Sequence, residues 1–107
     1  MSGYPKQTKK QLRELSGKAY QCELDIALSD LHEQFDTWRQ NKIDCWDLND
    51  AIHKFHDGIS RDLYKSYVMF NNDYGFSVAM ALKNNILQRE EIPDEAYQTI
   101  KALMSNA

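Results

Sequence analysis

Residues 12–38, LRELSGKAYQCELDIALSDLHEQFDTW, decide the fold. Two apolar stripes run through them at helical spacing. Leu12, Leu15, Ala19, Cys22 and Ile26 follow a 3-4-3-4 pattern, and Leu24, Leu28, Leu31, Phe35 and Trp38 follow 4-3-4-3. At about 100° per residue the stripes lie roughly 160° apart around one helix. The pattern predicts a long helix from about Thr8 to about Gln40, with Ser16-Gly17 as its weakest point. A surface helix has one apolar face. This one therefore either breaks or meets different neighbours at its two ends. The first stripe needs a cover, from the C-terminal helix or from a second copy of the chain. Leu12, Leu15, Ala19, Cys22 and Ile26 are accordingly the expected interface residues.

Downstream, Asn41-Lys42 reads as a turn, because Asn tolerates the left-handed backbone that ends a helix. Asp44 is a good N-cap, with Asp47 placed to favour the helix dipole. A second helix is predicted over 45–57, burying Leu48, Ala51, Ile52 and Phe55, with Gly58 as its left-handed end. Ser60 would cap a third helix running to about Phe70. NNDYG (71–75) signals a turn. A fourth helix is expected over 76–89, and a fifth over 93–105, with Pro93 at its first position and Asp94 and Glu95 at its positive end. No segment alternates apolar and polar residues over a useful length. The expectation is an all-α fold, a small bundle of four or five helices with a long first helix, comprising a flexible N-terminal arm (1–7) and a single helical domain (8–107).

Composition narrows the class. The chain has 107 residues, 42% of them apolar, enough for one core. No run approaches the roughly 18 apolar residues of a membrane span, and nothing resembles a secretory signal, so a cytoplasmic protein is expected. Cys22 and Cys45 lack the spacing of a zinc site or a disulfide framework. The net charge of −3 is uneven: residues 1–18 carry five basic residues against Glu14, or +4, which leaves −7 for the remainder. An acidic body with a short basic arm is not the footprint of a nucleic-acid-binding domain, and nucleic acid is not an expected partner.

The chemistry-bearing residues concentrate in FDTWRQNKIDCWDLNDAIHKFHDGISRDLYKSY, 35–67. Asp36–Asp47 has the outline of a calcium loop but places Trp38 where an oxygen ligand is required, so calcium is not expected. Asp50, His53, His56 and Asp57 follow D-x-x-H-x-x-H-D, and a turn at Gly58 would bring Arg61, Tyr64 and Tyr67 back toward the histidines. Arg61 in a first helical turn would suit an anion. Against this, aspartate and histidine four apart pair as ordinary helix neighbours, and the Glu-x-x-His repeats of bundle metal sites are absent. No metal, cofactor or catalytic residue is assigned, and enzymatic activity is left open. The expectation is a self-associating protein–protein interaction or regulatory module, with a protein partner and a homo-oligomeric state. The alternative is an enzyme or a metal- or anion-binding protein centred on Asp50, His53, His56, Asp57, Arg61 and Tyr64.

Overall fold

The computed structural model describes residues 5–69 and 73–105. The fold is all-α, a small helical bundle dominated by its first helix. Helix α1 (Lys6–Arg39) is unbroken. A second rod follows: α2 (Cys45–Phe55), a π turn (His56–Ser60), α3 (Arg61–Tyr64) and a second π turn (Lys65–Met69). Helix α4 (Tyr74–Lys83), a 3-10 turn (Arg89–Glu91) and α5 (Asp94–Ser105) complete the chain. No described helix is long and apolar enough to cross a membrane. The expected arm is helical from Lys6, and residues 1–4, 70–72, 106 and 107 lie outside the described residues.

Thirty-four residues at about 1.5 Å each make α1 about 50 Å long, and the molecule measures 54 × 26 × 24 Å. Its radius of gyration of 17.2 Å exceeds the roughly 13 Å of a compact domain of this size. The reason is that α1 meets different neighbours at its two ends. Leu12, Leu15 and Ala19 are buried in a core built with Val78, Ala79 and Ala81 of α4, Leu87 and Ile92 of the connection, and Ala96 and Ile100 of α5. Three of the five residues of the first stripe, Leu12, Leu15 and Ala19, are thus covered within the chain. Cys22 is half-buried and Ile26 is 55% exposed.

Ser16-Gly17 does not break the helix. Ser16 is buried, and a Cβ at Gly17 would meet nothing within 4 Å. Packing of Leu12, Leu15 and Ala19 outweighs the cost of about 1 kcal/mol for an interior glycine.

Two helix ends share one device. After α1, Asn41 takes φ 60°. Its N–H donates to Trp38 O at 2.9 Å, and Lys42 N–H donates to Thr37 O at 3.1 Å, the Schellman pattern. After α4, Asn85 takes φ 62°, with Asn85 N–H on Leu82 O at 3.2 Å and Ile86 N–H on Ala81 O at 2.8 Å. The fourth helix therefore stops at Lys83, six residues before the predicted end. That early stop turns Leu87 and Ile92 into the core. Arg89 ties the connection to α5: it donates to Ile92 O and Asp94 Oδ1, both at 2.8 Å, and lies 3.9 Å over the Tyr97 ring. Lys18 pairs with Glu91, joining α1 to the same connection.

The second rod departs most from expectation. Asp44 caps it as predicted, accepting from Asp47 N–H at 2.9 Å, while the Asp47 carboxylate accepts from Asp44 N–H at 3.4 Å. Gly58 does not end it. No glycine among the described residues has positive φ, and Ser60 is helical with no capping bond. Phase explains the π turn. Leu48, Phe55 and Leu63 are the rod's inward residues, and Leu63 sits eight positions beyond Phe55. In a regular α-helix it would lie about 80° off the stripe. A wider turn takes in about one extra residue, or about 100° of phase. That returns Leu63 to the α1 side, where it is buried.

Leu12→Ala is expected to cost about 2–5 kcal/mol of stability, as for other large-to-small changes at fully buried sites. Urea unfolding measures it. A cost below about 1 kcal/mol would contradict the placement of Leu12 in the core.

Candidate functional site: the projecting hairpin

Past the core, the rest of α1 pairs with the second rod as an antiparallel helical hairpin. The turn at residues 40–44 sets the register: Ala27, Leu31 and Gln34 of α1 share one groove with Ile59, Phe55 and Ala51 of the rod, and Tyr20 stacks on Tyr67. Two helices alone meet along a narrow seam. Ala27 and Leu48 are buried in it, and Leu24, Leu31, Ala51 and Phe55 are half-buried along it. The seam is rotated about 30° from the predicted second stripe. The small Ala27 takes the inner position, which leaves Leu28, Phe35 and Trp38 exposed.

The predicted polar site is not assembled. Asp50, His53, His56, Asp57, Arg61 and Tyr64 lie along one continuous rod and are all exposed. Asp50 pairs with Lys54 at 2.9 Å and Asp57 with Arg61 at 4.0 Å, each an i,i+4 neighbour. His32 does the same with Asp36 at 3.3 Å. Arg61 sits mid-rod, not in a first turn, so the open N–H groups that would favour an anion are not there. Without the Gly58 turn, nothing folds Tyr64 and Tyr67 back over the histidines. Among the described residues no group of three or more His, Cys, Asp or Glu side chains is placed to hold a metal ion.

Two recesses accompany the hairpin. The first, about 420 Å³, is the groove between its arms, with Ala27, Leu31, Ala51, Phe55 and Ile59 as its apolar surface and Asp30, Gln34 and Lys54 at its edges. The second, about 270 Å³, lies where the hairpin joins the core and is lined by Glu23, Leu63, Tyr67, Phe76, Met80 and Ile86, among others. Here Tyr67 donates its hydroxyl proton to Glu23 and stacks on Tyr20, ring centroids 5.1 Å apart and planes 4° from parallel. Burial pushes the Tyr67 hydroxyl well above the usual tyrosine range, and the Glu23 carboxylate adds to the shift. This contact latches the rod's end to α1. Nothing in the sequence singles out Glu23 and Tyr20, because their match to Tyr67 exists only once the rod is continuous.

Large apolar side chains outside the core concentrate on the hairpin. Among the described residues, ten of the twelve exposed ones fall within 26–69: Ile26, Leu28, Phe35, Trp38, Trp46, Ile52, Ile59, Tyr64, Val68 and Met69. Trp46, in the first turn of α2, is 76% exposed.

Replacing both His53 and His56 with Ala is expected to move stability by less than about 0.5 kcal/mol, as for other surface changes. A larger loss in a denaturation curve would place them in a structural network. Tyr67→Phe should cost about 1–2 kcal/mol through the lost bond to a carboxylate. It should also alter the alkaline limb. An unfolded tyrosine ionises near pH 10, whereas folded Tyr67 keeps its proton above that. Its contribution is therefore complete below about pH 10 and is lost as pH rises toward the folded value. Thermal melts at pH 9 to 11 should fall more steeply for the wild type than for Tyr67→Phe, and parallel curves would refute the latch. Comparison of the chain with family models, curated proteins and solved structures yields no match, so what the hairpin does has to be read from its own residues.

Proposed function

We propose that this chain is a helical protein-interaction module that docks a partner protein on its projecting hairpin. The observation that carries the reading is the crowd of exposed Ile, Leu, Phe, Trp and Met side chains on residues 26–69, set against a well-covered core. A two-helix hairpin buries one seam and leaves the flanks of both helices to water. Aromatic residues and methionine are the types enriched at the centres of protein interfaces. The core end, held by α4 and α5, serves as the base from which the hairpin projects.

Self-association through residues 12–26 has lost its motive, because Leu12, Leu15 and Ala19 are covered within the chain. Any self-pairing would have to use the hairpin. A catalytic, metal or anion site at His53, His56 and Arg61 draws no support from side chains that stand apart in solvent.

Affinity capture from the native host tests the proposal. The bait pair is the wild type and a variant carrying Leu28→Asp, Ile52→Asp and Ile59→Asp, all at exposed positions. The expected result is at least one protein retained by the wild type and lost from the variant, with far-UV circular dichroism unchanged. Identical sets of retained proteins would reject the hairpin as the docking element.

A further inference from the structure

Resting on that reading, we infer that the partner presents a basic amphipathic helix, seated in the groove between α1 and α2 with its cations over the α1 edge. The groove surface is apolar: Ala27, Leu31, Ala51, Phe55 and Ile59. Its lining on α1 runs from Ala27 to Gln34, about 10 Å or two turns. A third helix fits between two antiparallel helices because it satisfies its own backbone and offers a ridge of side chains at i, i+3, i+4 and i+7.

Charge selects the kind of helix. The two edges of the groove differ. On the rod, Asp50 is answered by Lys54 and Asp57 by Arg61. On α1, Asp30 lines the groove, and Glu33, three residues on, stands about 60° further round the helix from Asp30, on the outer flank of that edge. Neither Asp30 nor Glu33 makes an ion pair among the described residues. Residues 22–69 carry ten acidic and five basic side chains, a net −5. A second copy of the hairpin would bring −5 against −5. The chain's own basic segment, residues 6–18, cannot take the place either, since the apolar face it would offer, Leu12 and Leu15, is in the core. The occupant must supply an apolar ridge and lysine or arginine together.

Three designed 18-residue peptides, read by fluorescence anisotropy against the full chain, test this. One is an amphipathic helix with lysine flanks. The second has the same leucine ridge with glutamate flanks. The third has the composition of the first in scrambled order. The lysine helix should bind, more weakly as salt rises, and the glutamate helix should bind at least about tenfold more weakly, on the scale of a few exposed ion pairs turned to repulsion. The scrambled peptide should not bind. Ile59→Asp should abolish binding. Asp30→Lys with Glu33→Lys, at exposed positions that leave the fold intact by circular dichroism, should reverse the order of the two helices.

Equal binding of the lysine and glutamate helices overturns the inference about charge while leaving the hairpin as a docking face. Equal binding of the scrambled peptide reduces the effect to general ionic attraction and also overturns it. Failure of all three peptides overturns it as well. If the protein then sediments as a dimer that Ile59→Asp splits, the occupant is a second copy of the chain.

Discussion

The structure depends on covering a single helix about 50 Å long that is apolar on different sides at its two ends. No compact core reaches that far. Helices α4 and α5 cover the first half, and their contact with Leu12, Leu15 and Ala19 is where most of the fully buried side chains lie. The second half is left to one companion, the rod of residues 45–69. An elongated molecule with a dense end and a thin end follows. The dense end has three helices around Leu12 and Ile100, whereas the thin end has two helices and one seam.

That asymmetry shapes the chemistry. At the dense end polar groups act as ties: Lys18 to Glu91, Gln11 to Glu95 at 3.1 Å, and Arg89 across the connection to Asp94. At the thin end the ion pairs are local to one helix, Asp50 with Lys54 and Asp57 with Arg61, and add little to holding the arms together. The arms are held instead by the seam and by the latch of Tyr67 on Glu23 and Tyr20. The π turn at His56–Ser60 is what lets the seam and Leu63 share one side of the rod. Without its extra residue, Leu63 would sit about 80° round the rod from Phe55 and about 60° from Leu48.

Much of this was legible in the residues. Asp44 with Asp47, Asn41, and Pro93 before Asp94 mark helix ends through local bonds and backbone preference, and such signals do not depend on what packs nearby. The two stripes of α1 announce that it meets two sets of neighbours. The signals that misled were those in which local preference competes with packing. Gly17 and Gly58 disfavour a helix by about 1 kcal/mol each, less than the burial of one leucine contributes, so both helices run on. Asn84-Asn85 before Ile86 carried the same ending as Asn41 before Lys42, but the apolar spacing from Val78 to Ile86 masked it.

For the candidate site, residue order alone says which side chains are available and that they cluster in residues 35–67. Tertiary structure alone decided which of them meet. A turn at Gly58 would have gathered His53, His56 and Arg61, and a continuous rod strings them out in water. The same continuity brings Tyr67 to Glu23, 44 positions away, and sets Ala27 and Leu31 beside Phe55 and Ile59. Spacing along a chain reports faces of one helix at a time. Which faces touch depends on the register between helices, and that register is set jointly by the turn at residues 40–44 and by the packing along the seam, neither of which shows in the spacing of one helix.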